Sequence, residues 1–310
     1  MTRATAVNPD TTTDPEGQMP LAHSHRFTDG DLEPAAGRYR LIASGSCPWC
    51  RRVLIARRLL GLVDAIPVSW SYGKGADGFW ELTDETGEPG VDPALHARSL
   101  AEVYEGVDGY TPPPTVPTLV DTQTGEVVSD DSGSLLFDLA TAWWDLHREG
   151  APDLYPLDRR NSTDAWDEWL TQHVNGPYSR ATHSEDEEVA AEAANTVLLA
   201  FDVIDTVLAR ATHMEASREG ALTIQDVPPL SAVVSVEQFL CGAQPTGSDI
   251  RLFTFVQAYE YGGRAGFPGG VAPSISFWPA LARWFRALES RSGWVGPEER
   301  SALGIGEQDA

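Results

Sequence analysis

An α/β domain followed by an all-helical one is the architecture that this sequence predicts. Between residues 37 and 150, short strand-like runs surround one clear amphipathic helix, in the order βαβ, then ββ, then α. From about Asp153 onward, apolar residues recur at helical spacing and are separated by Gly/Pro clusters. With 310 residues, 42% hydrophobic content and 10 tryptophans, the chain is long and apolar enough for two buried cores.

The elements follow in order. Residues 1–36 are rich in Thr, Asp, Pro and Gly without periodicity and read as a flexible N-terminal arm, its His23 and His25 solvated. YRLIAS is strand-like, and CPWCRRVLIARRLLGL carries apolar residues at helical spacing until Gly61 stops it. AIPVSW is the second strand of a βαβ unit. Residues 71–113 are Gly-, Pro- and acid-rich, with a weak helix around Pro93 to Tyr104; a connection of that length inside a compact domain usually carries function. TVPTLVDTQTGEVVS then reads as two strands around a Gly-containing turn, and DDSGSLLFDLATAWWDL opens a helix. Residues 37–150 therefore have the order of a thioredoxin-like domain. In residues 151–310, helices are expected over Ala165–His173, Glu185–Arg210, Leu230–Phe239, Asp249–Tyr259 and Trp278–Ser290, with VNGPY, DVPPL and GFPGGVAP as breaks. Thr246 and Asp249 stand at capping-box spacing before an apolar run.

Charge and cysteine content exclude several classes of function. A formal net charge of -24 argues against nucleic acid and against acidic membrane surfaces as partners, because nothing here neutralises a row of phosphates. Lys74 is the only lysine, so the positive charge is almost wholly arginine. No stretch of eighteen apolar residues occurs and the N-terminus lacks the charged-then-apolar order of a signal peptide, so a cytoplasmic protein is expected. Three cysteines, Cys47, Cys50 and Cys241, are too few for a disulfide framework; a close pair in a reducing compartment reads as redox or metal chemistry.

The pair lies in SGSCPWCRR, at the junction of the first strand and the first helix. A thiol is mostly protonated at neutral pH, and the outward-pointing N–H groups of a helix start favour its anion. Pro48 suits the first helical turn because no N–H is needed there, and Arg51 and Arg52 add cationic field. Cys47 is thus the candidate nucleophile, and Cys50, one turn later, is either a resolving thiol or a core residue. Zinc is disfavoured, since Cys241 has no partner pair and no H-x-x-H run to complete four ligands; a purely structural pair is the other alternative.

Taken together, GRYRLIASGSCPWCRRVLIARRLLGL, VPTLVDTQTGEVVSDDSGSLLFDL, VNGPY and the DIRLFTF helix resemble the glutathione transferase superfamily, and within it the Xi-class glutathionyl-hydroquinone reductases. The resemblance spans most of residues 37–290 and implies a glutathione-transferase-type helical second domain. It further implies a cis Val116-Pro117 bond beside Cys47, whose Val116 N–H and C=O pair with a bound thiol. Asp131 and Ser132 at the next helix start take that thiol's ammonium and carboxylate, and Trp80, or Phe79 beside it, lies against it. Tyr178 of VNGPY orients an aromatic substrate or gives it a proton. Each has a plain structural use as well: strand-entry proline, N-cap, packed aromatic.

Several positions depart from the family. Cys50 replaces a non-cysteine, Pro113 stands where an arginine is usual, and YEYGGRAGFPGG differs from the family's tyrosine-bearing loop, leaving Tyr259, Tyr261 and Arg264 as substitutes. The changes cluster around thiol recognition, which brings a low-molecular-weight thiol such as mycothiol into question beside glutathione. The function implied is cleavage of a thiol conjugate of a hydroquinone through a Cys47 mixed disulfide, with a small quinone-type aromatic as substrate, no metal, and a homodimer as the superfamily's common assembly. A glutaredoxin-like disulfide reductase or deglutathionylase using CPWC, and a non-catalytic transferase-like binding module, are the alternatives. Trp143, Trp144, Trp166, Trp169, Trp278 and Trp284 are divided between core and an aromatic pocket.

Overall fold

The computed structural model describes residues 25–76, 78–105, 107, 114–216, 239–268 and 272–306. They divide into two compact units, one running to Pro152 and taking in Gly296–Leu303, the other running from Asp153 to Val295 and from Gly304.

The first unit is built on a five-stranded sheet in the order β3-β2-β1-β4-β5. β1 (Tyr39–Ala43) leads into α1 (Pro48–Leu59) and returns parallel as β2 (Val68–Lys74), with Ala43 opposite Trp70. β2 starts three residues later than the AIPVSW run and continues into the supposed connection. There it folds back as β3 (Trp80–Leu82), an edge strand too short for its sequence to announce. α2 is a single turn, Leu100–Val103, capped by the Ser99 hydroxyl. β4 (Thr118–Asp121) and β5 (Glu126–Ser129) form the expected antiparallel hairpin, and α3 (Ser132–Thr141) follows, packing against α1. This is the thioredoxin-like order.

Residues 25–36, expected as part of the flexible arm, are held instead, while residues 1–24, His23 included, lie outside the described residues. The buried carboxylate of Asp138 accepts from Arg26 Nη2 at 2.8 Å, the Phe27 N–H at 3.0 Å and the Thr28 hydroxyl at 3.1 Å. Phe27 packs edge-to-face on Tyr39 and Trp143, with centroids at 5.0 and 5.2 Å. Each such pair adds about 0.5–1.5 kcal/mol beyond its buried area. The His25 N–H donates to the Val128 carbonyl, which closes part of the β5 edge.

The second unit is helical. α4 (Arg160–Leu170) runs through a π-helical turn, Thr171–Asn175, straight into α5 (Gly176–His183). VNGPY therefore does not break the helix: Pro177 falls in the first turn of α5, directly after the π turn. α6 (Glu187–Ala216), α7 (Gly247–Glu260) and α8 (Pro279–Glu289) complete the unit. α7 is buried all round from Gly247 to Tyr259, as the central helix of a bundle is. Its capping box is formed by Thr246 and Asp249, as the spacing predicts. The helix expected at 230–239 lies outside the described residues except for Phe239, which bridges to Gly242 as extended chain. Phe201 of α6 meets Tyr259 and Trp278 edge-to-face at 5.1 and 5.2 Å. Trp278 and Trp284 are core residues of this unit and Trp143 of the first; Trp144 is exposed, and Trp166 and Trp169 are half-buried. The last helix, α9 (Pro297–Leu303), belongs with the first unit.

Candidate active site

Strand direction gathers the predicted thiol-binding residues at one end of the sheet. β1 ends at Ala43, four residues before Cys47. Thr118 lies beside Ile42 because β4 is antiparallel, so Val116 and Pro117 precede β4 at that same end. Ser129 pairs with Leu119, so Asp131 and Ser132 leave β5 there too. β2 runs four residues past Trp70 to Lys74, which is paired with Trp80. At about 3.3 Å per residue, that hairpin tip stands about 13 Å beyond the end of β1. Trp80 is half-buried on the edge strand, and its ring lies 5.6 Å from Lys74 Nζ.

Cys47 is the N-cap of α1, with extended backbone angles. The Cys47 N–H donates to the Ser44 carbonyl, and the Arg51 guanidinium donates through Nη1 to the carbonyls of Gly45 and Ser46 at 3.2 and 2.9 Å. The Cys47 thiol is pulled down to about 7. A hydrogen bond from Cys50 does most of this against the cost of burial, with the Cys50 and Trp49 N–H groups and the Arg51 charge adding to it. Cys50 is pushed well up, first by its own burial and then by Cys47. It is fully buried, and its sulfur accepts the Ser44 N–H at 3.4 Å. Both are free thiols. The motif thus holds one anion-favouring sulfur and one proton-keeping sulfur, one helical turn apart.

The Val116-Pro117 bond is cis, and the Cys47 thiol donates to the Val116 carbonyl at 3.6 Å. Beneath this loop lies a polar cluster that sequence reasoning missed. The Tyr104 hydroxyl donates to the Asp130 carboxylate at 3.1 Å and lies 3.1 Å from the Thr118 hydroxyl, which in turn donates to the Thr115 carbonyl at 2.7 Å. Tyr104, Thr118 and Asp130 are all buried, so the cluster fixes the Thr115–Pro117 loop against the end of β5. The only local signal was the doubled acid in SDDS.

Asp131 caps α3, its Oδ1 accepting the Gly133 N–H at 2.9 Å, and is half-buried. Ser132 does not offer an exposed hydroxyl. It is wholly buried and accepts from Arg52 Nη1 at 3.3 Å, while the Arg52 guanidinium lies 4.4 Å from the Trp49 ring centre. Arg52 thereby ties the Trp of the CPWC turn to the start of α3.

In the second unit, Tyr178 is buried on α5, edge-to-face with Phe255 at 5.3 Å. Its phenol oxygen packs so closely on Gly263 that a Cβ there would overlap it, which is why YGG carries a glycine at that point. Of the three loop substitutes, Tyr259 is a core residue. Its hydroxyl donates to the Pro273 carbonyl at 2.6 Å, and burial pushes its phenol up to about 12. Tyr261 donates to Glu289 Oε2, and Arg264 faces Glu260 at 3.8 Å. Burial raises the Cys241 thiol. Pro113 lies outside the described residues.

Among the described residues no group of three or more His, Cys, Asp or Glu side chains is placed to share a metal ion, and no helix is long and apolar enough to cross a membrane. Residues 46–142 match the family model for the glutathione S-transferase N-terminal domain. The glutathionyl-hydroquinone reductase YqjG of Escherichia coli is 26% identical over 257 residues, covering 81% of this chain and 75% of that protein. Its glutathione-bound structure superposes with a TM-score of 0.70 at 25% identity over 86% of this chain and 80% of that one. A Xi-class glutathione transferase from Natrialba magadii superposes with a TM-score of 0.75 at 25% identity, over 91% and 78% of the two chains. With the CPWC turn and the cis Val116-Pro117 loop inside the matched glutathione S-transferase N-terminal domain and a helical second unit after it, the chain is similar to the Xi-class glutathione transferases and to the glutathionyl-hydroquinone reductases among its relatives.

Proposed function

We propose that this chain is a glutathione-dependent reductase that removes the thiol from a glutathionyl-hydroquinone through a mixed disulfide on Cys47. One observation carries the reading: Cys47 caps α1 with its thiol pulled down to about 7, so a large fraction is thiolate at neutral pH. The similarity to YqjG supports the substrate class, and the glutathione-bound structure of that relative supports the thiol.

In the first step the Cys47 thiolate attacks the conjugate's sulfur. The S–S bond forms as the aryl C–S bond breaks, and the electron pair leaves on the ring carbon, which takes a proton with the help of Tyr178. Glutathione thiolate then attacks the mixed disulfide, so one glutathione disulfide and one hydroquinone leave and Cys47 is regenerated. Val116 pairs with the backbone of the bound thiol, Asp131 takes its ammonium, and Trp80 covers it. Ser132, whose O–H stays free to donate while its oxygen accepts from Arg52, takes the carboxylate together with the α3 N–H groups.

A second reading, glutaredoxin-like disulfide exchange, is favoured by the position of Cys50 one turn from Cys47. There Cys50 attacks the mixed disulfide in place of the second glutathione.

The test follows hydroquinone release from glutathionyl and mycothionyl conjugates by the purified protein, its Cys47→Ser variant and its Tyr178→Phe variant. Release from the glutathionyl conjugate that vanishes in Cys47→Ser is expected. Tyr178→Phe is expected to slow release while leaving the reduction of a small disulfide unchanged. Release confined to the mycothionyl conjugate moves the thiol assignment to mycothiol, and release from neither moves the reading to disulfide exchange.

A further inference from the structure

The turn that presents Cys47 is gripped from two sides. Arg51 holds the carbonyls of Gly45 and Ser46 from within the unit. On the other side α9, some 250 residues later in the chain, lies directly on Gly45. A Cβ on Gly45 would stand 2.6 Å from the Glu298 carbonyl oxygen and 3.2 Å from the Ala302 Cβ, so no larger residue fits without moving the helix. A second attachment pins α9 to the far end of α1: Glu299 is buried and its Oε1 lies 2.6 Å from Arg58 Nη2. Gly296, just before α9, is in turn packed on this pair. The C-terminal helix therefore spans α1 from the turn before its N-cap to its last turn.

We propose that α9 is a positioning element of the nucleophile, holding the Ser44–Ser46 turn so that the N–H groups opening α1 stay aimed at the Cys47 sulfur. Arg58 and Glu299 are positioning residues, acting on the thiol through the turn. The inference rests on Cys47 being the working thiol. The physical reason is that a helix start stabilises an anion only where its free N–H groups point at it. A turn released from α9 lets the sulfur leave that position, and the thiolate loses its hydrogen bonds.

The experiment reads alkylation of Cys47 by iodoacetamide across pH, followed by mass spectrometry of the Cys47 peptide in the full-length protein. Wild type, Arg58→Met, Gly45→Ala and Arg26→Met are compared. Arg26→Met removes another ion pair of the same unit, the one to Asp138, and serves as the control for general loosening. In wild type the rate should be half-maximal near pH 7. Arg58→Met and Gly45→Ala should move the midpoint up; a rise of about 0.7 pH unit lowers the rate at pH 7 about threefold, by the loss of thiolate alone. Arg26→Met should lower the melting temperature with the midpoint unmoved. Midpoints unmoved in both α9 variants, or moved equally in Arg26→Met, overturn this inference alone. A wild-type midpoint in the ordinary thiol range instead removes the nucleophile on which the proposed function stands.

Discussion

At the scale of single residues, the chemistry of the first unit turns on a division of labour between two sulfurs. Cys50 matters to Cys47 as a hydrogen-bond donor before it matters as a thiol. That separates two substitutions often treated as equivalent. Cys50→Ser keeps a donor, so the Cys47 alkylation midpoint should stay near 7 while any two-thiol disulfide exchange drops sharply. Cys50→Ala removes the donor, and the midpoint should rise toward the ordinary thiol range of about 8.5. Midpoints that rise equally in the two variants would show that the donor is not what stabilises the thiolate. The same scale explains what reading residues one at a time left out. Cys47, Cys50 and Asp131 carry their roles in their local context, whereas Arg52 meets Ser132, and Tyr104 meets Thr118 and Asp130, only because separate segments converge at one end of the sheet. Arg52 donates to the Ser132 oxygen from 80 residues away, a distance no local pattern spans.

At the scale of elements, α7 shows how a short motif organises a whole unit. The Asp249 carboxylate is fully buried and accepts from the Leu240 N–H at 3.0 Å, the Thr246 N–H at 2.9 Å and hydroxyl at 3.1 Å, and Trp284 Nε1 at 3.1 Å. Burial outweighs these donors and pushes the carboxyl up to about 6. A carboxyl whose folded pKa lies above its unfolded value of about 3.9 contributes its full titration stability below that value. It loses that stability as pH rises through the folded value near 6. Asp249→Ala leaves four donors without an acceptor and should destabilise the second unit by about 3–5 kcal/mol in urea unfolding at pH 7. In wild type, this carboxyl should lower the melting temperature of the unit as pH rises from about 4 to about 6, and that contribution should be absent from the variant. The capping box was legible because it is written within four residues. The π turn at Thr171–Asn175 was not, since Asn-Gly-Pro reads as a stop until the next helix is seen to begin on its glycine.

At the scale of the whole molecule, a net charge of -24 sets a uniform condition on stability. Self-repulsion opposes compaction, and it is screened as the Debye length shrinks from about 30 Å at 0.01 M salt to about 8 Å at 0.15 M. The melting temperature should therefore rise over that range of sodium chloride; a fall would mean that ion pairs such as Arg26–Asp138 and Arg58–Glu299 outweigh the repulsion. The sequence by itself determined the order of elements in the sheet unit, the helical character of the second and the CPWC thiol at a helix start. Each of these is encoded in periodicity, spacing or composition within a short window. Only the tertiary structure decided that residues 26–28 dock on Asp138, that β3 forms the sheet edge, that Ser132 accepts from Arg52, and that α9 returns to lie on Gly45. Those contacts join segments far apart in the chain, and a glycine reveals what it makes room for only when the neighbour that fills the space is in place.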